Sequence, residues 1–348
     1  MIELRSDNAA GVAPDILAAV EAANTGSALA YGGDDLTAHL QDVVRSVFDH
    51  PTARAFPVTS GTAANSLALS AATPPWGAVL CHPTAHIVTS EAGATSLFGG
   101  GAVMQGVEGD HALIDPDRLR ATLDSVRWGD PHESQPSVLS LTLPSDLGTL
   151  YRPEEVTALA AIARGSGLKV HLDGARIANA VAALGCSPAD VTWRAGVDVL
   201  SLGATKNGAL SAEAIVVFDD RIAEELVYRT KRAGHVTSKM RFQSAQLTAY
   251  LTDGLWLRLA TTANRRMGAL VAELEDLDDV RLTERVEVNM AFVELPPSAI
   301  EALAEVGLLC YRMSPTTVRL VTSWQTTEAD IGGAADAVRK ALALAPGV

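Results

Sequence analysis

Two short segments of the chain place an acid, an arginine and a lysine among small and apolar residues. The apolar run 167–172 leads into Asp173 and Arg176, and a second run, 197–202, leads into a small-residue loop with Lys206. Parallel strands that end side by side would aim these three side chains into one crevice. A lysine that forms an imine and an acid that partners a pyridinium nitrogen suit pyridoxal 5'-phosphate (PLP), and an arginine can grip a carboxylate. The pattern predicts a PLP-dependent enzyme that acts on an amino acid.

A third segment favours a phosphate. Residues 59–65, Thr-Ser-Gly-Thr-Ala-Ala-Asn, follow a predicted strand and open a predicted helix. Small residues let backbone N–H groups converge at the helix N-terminus, and Ser60 and Thr62 on either side of Gly61 add hydroxyl donors. Taken alone, the segment fits an ordinary capped helix equally well. Beside Lys206, we interpret it as the phosphate-binding end of the cofactor site.

The acid and the lysine each have a structural alternative. A lone lysine is more often solvated, but Lys206 has weakly charged neighbours, and burial there would favour the nucleophilic neutral amine. Asp173 alone could cap the helix that begins near Arg176. A buried pair of Asp173 and Arg176 would need partners, which a pyridinium nitrogen and a carboxylate supply.

Two residues outside these segments are further candidates for the cofactor and substrate site. His86 lies at a predicted strand-to-helix turn, where an imidazole can stack on the cofactor ring and move protons, and Glu91 could orient it. Arg319 alternates with apolar residues in a predicted strand of the second domain. It could face solvent, or reach across the domain cleft to a substrate carboxylate, and we favour the second interpretation.

Between about residues 55 and 220, short apolar runs alternate with helical patterns, which is typical of a parallel α/β sheet. The predicted strands are 56–59, 78–81, 137–143, 168–172, 197–202 and 214–218, and the predicted helices 14–23, 36–48, 62–72, 116–123, 153–164 and 177–184. Beyond 220 we expect helix to about 267, then strand 286–295, helix 297–306, strand 317–322 and helix 328–344. The predicted organisation is an N-terminal arm (1–14), a large PLP-binding domain (15–245) and a smaller α+β C-terminal domain (246–348).

The composition excludes several classes of protein. Of the 348 residues, 48% are hydrophobic and 20% are charged, which allows an ample core, and the net charge of −14 argues against a broad basic surface for nucleic acid. The three cysteines are far apart and lack CxxC spacing, which argues against a disulfide framework or a zinc site. No apolar run reaches the length of a membrane span, and the charged N-terminus lacks a signal peptide. We expect no metal, no nucleic-acid or membrane partner, and a cytoplasmic location.

At these motifs the chain resembles the threonine aldolases of the β-eliminating lyase group, which are fold type I PLP enzymes. Seven motifs match in order: 6–8, 31–34, 61–65, 84–86, 171–176, 205–207 and 318–322. The similarity is greatest to the bacterial low-specificity L-threonine and phenylserine aldolase branch, which is nearly verbatim at 148–153, 184–188, 195–200 and 238–242. The resemblance implies an aspartate aminotransferase-like large domain with a mostly parallel sheet.

The resemblance also implies a role for each cofactor residue. Lys206 is the imine lysine, Asp173 partners the ring nitrogen, and His86 stacks on the ring. The remaining cofactor contacts are assigned to Ser60, Gly61, Thr62 and Arg176.

For the substrate, the resemblance implies that Ser6, Arg176 and Arg319 bind the amino-acid carboxylate. Tyr31 and His132 are expected to line the side-chain pocket together with the neighbouring subunit. His132 aligns with a histidine that the family places near the β-hydroxyl and is predicted to be catalytic, although its loop has diverged.

Two other segments are informative by comparison. Residues 231–241 resemble a region that completes a neighbouring subunit's site, which implies a homodimer or a homotetramer with shared active sites. Where many relatives carry a Glu-Asn-Thr type of sequence after the fifth strand, this chain has Leu-Pro-Ser-Asp at 143–146.

The expected reaction is retro-aldol cleavage of L-threonine, L-allo-threonine and related L-β-hydroxy-α-amino acids, phenylserine included, to glycine and an aldehyde. Other PLP chemistries on a β-substituted amino acid, namely β-elimination, racemisation and transamination, use the same lysine and acid and stay open. A PLP-binding regulatory protein, or a lysine aldolase without a cofactor, would leave more of these residues unexplained.

Overall fold

The computed structural model describes residues 1–344, so the last four residues of the predicted small domain, 345–348, lie outside the described residues. The strands are β1 (Ile2–Glu3), β2 (Arg54–Val58), β3 (Gly77–Cys81), β4 (Val103–Gly106), β5 (Gln135–Thr142), β6 (Lys169–Gly174), β7 (Val199–Leu202), β8 (Glu213–Val217), β9 (Arg281–Leu282), β10 (Met290–Glu294), β11 (Leu308–Leu309), β12 (Tyr311–Arg312) and β13 (Thr317–Val321). The α-helices are α1 (Pro14–Ala23), α2 (Asp35–Val47), α3 (Gly61–Ala72), α4 (His86–Thr89), α5 (Ala94–Phe98), α6 (Pro116–Asp124), α7 (Pro153–Gly165), α8 (Ile177–Leu184), α9 (Asp220–Arg232), α10 (Arg241–Leu251), α11 (Leu255–Leu274), α12 (Pro297–Ala302) and α13 (Glu328–Leu344). Most boundaries lie within three residues of the predicted ones.

A seven-stranded sheet with the order β2-β8-β7-β6-β5-β3-β4 forms the centre of the large part of the molecule. Its strands are parallel except β8, which runs antiparallel to both β2 and β7. The connection from β7 to β8, residues 203–212, is too short for the crossover that a parallel neighbour needs. The continuous burial of strands such as β3 and β8 follows from helices that cover both faces of the sheet.

The carboxyl edge of this sheet brings together the loops that the sequence singled out. Strands β2, β3, β5, β6 and β7 all end at that edge, because β8 alone reverses direction. The chain leaves β2 directly into α3, and it leaves β7 directly into a 3₁₀ turn, Thr205–Asn207. Ligands of open parallel sheets bind in this place.

A second core lies against a four-stranded antiparallel sheet with the order β12-β13-β10-β9. The predicted N-terminal arm belongs to it in part, since β1 pairs with β11 and the buried side chain of Leu4 lies in this core. Helix α11 joins the two cores, with Trp256 in the first and Met267 in the second. The domain boundary at residue 246 stays a prediction. None of the helices in 1–344 is long and apolar enough to cross a membrane.

Candidate active site

A cavity of about 350 Å³ lies at the carboxyl edge of the large sheet. Nine of the eleven predicted site residues line it. They are Ser6, Ser60, Gly61, Thr62, His86, Asp173, Arg176, Lys206 and Arg319. They come from the N-terminal segment, from loops after four strands and from β13. The two that it does not contain are Tyr31 and His132.

The turn that carries Lys206 is held in place by buried side chains. Glu213, at the start of β8, accepts a hydrogen bond from the backbone N–H of Ala204 at 2.5 Å. Asn207 donates through Nδ2 to the hydroxyl of Tyr250 at 3.0 Å. The backbone of the turn is therefore anchored on both sides of the lysine.

The amine of Lys206 lines the cavity, and within residues 1–344 it has no hydrogen-bond partner. Burial, and next the charge of Arg176, lower the pKa of this amine below its ordinary value. A larger fraction of it is then neutral, and the neutral amine is the form that attacks a carbonyl.

Asp173 is one end of a continuous chain of buried hydrogen bonds. Its Oδ2 accepts from Asn65 Nδ2 at 2.8 Å, and its Oδ1 accepts from the backbone N–H of Ala175 at 3.0 Å. Asn65 Nδ2 also donates to Glu91 Oε1 at 2.9 Å. The same Glu91 oxygen lies 2.8 Å from His86 Nδ1. Asp173 is thus fixed in place, and Glu91 orients the imidazole.

His86 reaches the cavity from the loop after β3. The hydrogen bond to Glu91 raises the pKa of the imidazole, although burial opposes the rise. Because Nδ1 is engaged by Glu91, Nε2 is the nitrogen left to face a ligand, and no partner for it is found in the described part of the chain.

The guanidinium of Arg176 pairs with Asp7, a partner that the sequence analysis did not identify. Its Nε donates to Asp7 Oδ2 at 2.6 Å and its Nη2 donates to Oδ1 at 2.8 Å. Asn289 Nδ2 donates to the same carboxylate at 3.1 Å. Burial alone would raise the pKa of Asp7, but the charge and hydrogen bonds of Arg176 hold that pKa below its usual value.

Arg319 supplies a second cation to the same wall, and much of its hydrogen-bonding capacity is unused. Its Nη2 donates to the carbonyl of Arg5 at 3.4 Å, and its guanidinium lies 5.3 Å from the centre of the Tyr311 ring. Its Nε is buried without a partner among residues 1–344. Burial, and then the charge of Arg176, lower the pKa of Arg319. Two arginines with free donors make this end of the cavity suited to an anion.

The N-terminus of α3 forms another part of the cavity wall. The hydroxyl of Ser60 caps the helix by accepting from the backbone N–H of Ala63 at 3.2 Å. The first N–H groups of a helix have no partner within it, and here they open into the cavity at Gly61 and Thr62. A methyl group on Gly61 would meet no atom within 4 Å, so the approach is open.

Tyr31 and His132 are not in the cavity of their own subunit. Tyr31 is exposed and lines a separate cavity of about 450 Å³, where the amine of Lys231 lies 4.4 Å from its ring centre. His132 is exposed on the loop before β5. That loop leads into the amino end of the strand, and the cavity lies at the carboxyl end. The prediction that both residues line the site is therefore not met within one chain.

Sequence reasoning assigned no role to several residues that the structure places in or under the cavity. Asp146 lines it, and its side chain has no hydrogen-bond partner within 1–344. Burial, and next the charge of Asp173, raise the pKa of Asp146 to about 6. Asn65 and Asp7 stand inside motifs that the sequence marked, but the motif does not reveal which acceptor meets which donor.

Beneath the cavity, His171 links three central strands. Its Nδ1 lies 2.9 Å from the hydroxyl of Ser140, and its Nε2 lies 3.0 Å from the hydroxyl of Ser201. Burial lowers the pKa of His171 to about 4, so the ring is neutral at physiological pH. Elsewhere in 1–344, no group of three or more histidine, cysteine, aspartate or glutamate side chains is placed to hold a metal ion.

Comparison with known proteins identifies the family. The family model described as β-eliminating lyase matches residues 3–296. The low specificity L-threonine aldolase of a Pseudomonas species is 39% identical over 341 residues, which cover 98% of each chain. The protein of that name from Pseudomonas aeruginosa is 40% identical over 93% of each chain.

Among solved structures, the threonine aldolase of Leishmania major superposes with a TM-score of 0.91 at 25% identity, over 97% of this chain and 98% of that one. The predicted fold class, fold type I with a large mostly parallel sheet and a smaller C-terminal sheet, is confirmed. The resemblance to the threonine aldolase group is confirmed as well. The chain belongs to the β-eliminating lyase family.

Proposed function

We propose that this protein is a PLP-dependent aldehyde-lyase that cleaves L-threonine, L-allo-threonine and related L-β-hydroxy-α-amino acids to glycine and an aldehyde. The observation that carries the proposal is one cavity that combines the half-buried Lys206, the fixed carboxylate of Asp173 and the free donors of Arg319. The names of the two Pseudomonas relatives support the choice of substrate.

The donor and acceptor groups of the cavity fit PLP. Lys206, whose amine has no partner in the described chain, would attach it, and Asp173 would pair with its ring nitrogen. His86 would lie against the ring, and the N-terminus of α3 would hold the phosphate through Ser60, Gly61 and Thr62. When bound, PLP supplies an electron-withdrawing ring that stabilises negative charge on the substrate Cα.

The substrate carboxylate is bound at the arginine end of the cavity. Arg319 offers its unpaired Nε, and Arg176 offers Nη1, the nitrogen that does not contact Asp7. Ser6, beside them in the wall, adds a hydroxyl. Holding the carboxylate at one end leaves the Cα–Cβ bond free to adopt the orientation in which it breaks.

Nε2 of His86 accepts the β-hydroxyl proton, either directly or through a water that His86 positions. As the O–H bond breaks, the carbonyl of the aldehyde forms, and the electron pair of the Cα–Cβ bond stays with the glycine unit. That unit is then reprotonated at Cα and leaves as glycine. Glu91 holds Nδ1 of the same ring, so the imidazole keeps its orientation while Nε2 gains and loses the proton.

We further propose a cytoplasmic homodimer or homotetramer with shared active sites. Tyr31 and residues 231–241 lie apart from the cavity of their own chain, and Tyr31 and His132 are exposed. This placement supports a role for them at a neighbouring subunit's site, where they would line the pocket for the substrate side chain.

The test is an aldehyde assay on purified protein supplied with PLP. We expect acetaldehyde and glycine from both L-threonine and L-allo-threonine, and we expect the variant Lys206→Ala to lose turnover. Full turnover by that variant would refute the scheme. Release of ammonia and a keto acid without acetaldehyde would instead assign the cavity to another PLP chemistry.

A further inference from the structure

We propose that Asn65 is a positioning residue that couples His86 to Asp173. The inference rests on the proposed function, in which His86 handles a proton and Asp173 holds the ring nitrogen. Asn65 lies in the second turn of α3, and its side-chain amide is the link between the two.

The amide group of Asn65 has one orientation that satisfies its neighbours. Nδ2 donates one hydrogen to Glu91 at 2.9 Å and the other to Asp173 at 2.8 Å. Because a carboxylate only accepts, the amide oxygen must point the other way. That oxygen is buried and has no partner within 1–344. An unsatisfied acceptor costs free energy, so the surrounding structure maintains this arrangement against a penalty.

Asn65 lets two buried acids lie side by side. Glu91 and Asp173 both bond to one nitrogen, and both side chains are buried. Two carboxylates in one buried site repel each other, and a hydrogen-bond donor between them offsets that repulsion. The Asn65 amide supplies one donor to each of these carboxylates. Because Glu91 also contacts His86 Nδ1, Asn65 connects the positions of Asp173 and of the imidazole.

The same arrangement sets the charge of His86. Charged groups from four elements face this imidazole: Glu91 on its own segment, Asp173 at the end of β6, Asp146 after β5 and Lys206 after β7. The hydrogen bond that the His86 imidazole donates to Glu91 is the largest cause of the raised pKa of His86. Removing the Asn65 amide deletes none of these four charged groups and takes away the donor that Glu91 and Asp173 share.

The test is an NMR titration of the His86 imidazole in cofactor-free protein, with the resonance assigned by comparison with His86→Gln. We expect Asn65→Ala to lower the midpoint by about one pH unit, because Glu91 then loses the donor that holds its carboxylate against His86 Nδ1. PLP affinity of the same variant should fall by about tenfold or more, since Asp173 loses a charged hydrogen bond.

Ser66→Ala is the matched control. Ser66 is the next residue of α3 and is buried, but its hydroxyl donates only to carbonyl groups of its own helix. This variant should leave the His86 midpoint where it is. If Asn65→Ala does not fold, Asn65→Ser supplies the same comparison, because its single donor cannot serve both acids.

The outcomes separate this inference from the proposed function. An unchanged His86 midpoint in the Asn65 variant overturns the coupling, even if the enzyme cleaves threonine. A lowered midpoint in a protein that cleaves no hydroxy-amino acid supports the coupling and contradicts only the proposed reaction.

Discussion

Arg176 and Asp7 form a two-point ion pair at the wall of the cavity, with distances of 2.6 Å and 2.8 Å between their nitrogen and oxygen atoms. The pair joins the N-terminal segment to the loop after β6. It uses the Nε and Nη2 edge of the guanidinium, so a substrate carboxylate would meet Arg176 at Nη1 and at the second N–H of Nη2. Arg319, whose Nε is unpaired among the described residues, is the second guanidinium expected to bind that carboxylate.

Replacing Asp7 should destabilise the fold in a pH-dependent way. Asp7→Asn leaves the buried charge of Arg176 without its partner, and we expect a loss of about 3 kcal/mol in the free energy of unfolding at neutral pH. The folded pKa of Asp7 is lowered, so its contribution is present above the unfolded pKa and is lost as the pH falls through the folded pKa. Urea unfolding of cofactor-free protein at several pH values measures this difference.

Glu3→Gln is the control for that experiment. Glu3 pairs with Arg5 on the surface of the same N-terminal segment, and surface pairs contribute little. A loss of stability in Asp7→Asn no larger than that of Glu3→Gln, or one that does not shrink in acid, would contradict the role of the buried pair.

Replacing Arg319 should weaken substrate binding more than turnover. Arg319→Lys keeps the charge but loses the planar set of donors, so we expect KM for L-threonine to rise by about 10- to 100-fold with a smaller change in kcat. Steady-state kinetics measure both. Arg312→Lys, on the neighbouring strand β12, is the control, because its guanidinium donates to the carbonyls of Ser314 and Pro315. Equal effects of the two substitutions would refute the assignment.

Neutralising Asp146 should stabilise the cofactor-free protein at alkaline but not at acid pH. Burial raises the pKa of Asp146 to about 6, so the fold favours the protonated acid. Ionisation of the folded protein is therefore unfavourable, and its cost develops between the unfolded pKa, near 4, and pH 6 and persists above that. We expect Asp146→Asn to add about 1 to 3 kcal/mol at pH 8 and little at pH 4, as measured by urea unfolding.

The exposed Glu305, a carboxylate far from the cavity, supplies the control for Asp146. Glu305→Gln should show no such difference between the two pH values. If Asp146→Asn stabilises the protein equally at pH 4 and pH 8, the raised pKa of Asp146 does not cause the stabilisation.

Removing the Glu91 carboxylate should shift the pH dependence of cleavage. In the proposed reaction His86 accepts a proton only when it is neutral, so kcat/KM should rise as the pH passes the pKa of His86, which Glu91 raises. Glu91→Gln should move this rising limb to lower pH by about one unit. His86→Gln should reduce kcat by about 10²- to 10⁴-fold. If kcat/KM of Glu91→Gln rises at the same pH as that of the unaltered protein, a group other than His86 with Glu91 controls this rise.

Much of the large sheet could be predicted, because its strands are apolar runs that end in small residues. The direction of β8 could not, since the sequence pattern of a buried strand is the same in either direction. Strands β1, β9, β11 and β12 have two residues each and are too short to show a period. Their pairing depends on the second core, which draws on both ends of the chain.

The candidate site also has features that the sequence predicts and features that only the structure shows. Lys206, Asp173 and Arg176 stand where predicted strands end, so their convergence follows from the topology. The partner of Arg176 lies 169 residues away, and only the fold reveals that contact. Tyr31 and His132 were predicted from resemblance, and the single chain does not bring them to its own cavity.

The central claim, that Lys206 carries PLP in this cavity, is tested most directly by reducing the PLP-loaded protein with borohydride and mapping its peptides by mass. The account predicts one labelled peptide, containing Lys206, with a yellow protein before reduction and no label in Lys206→Ala. Label on another lysine, or none after full reconstitution with PLP, would contradict it.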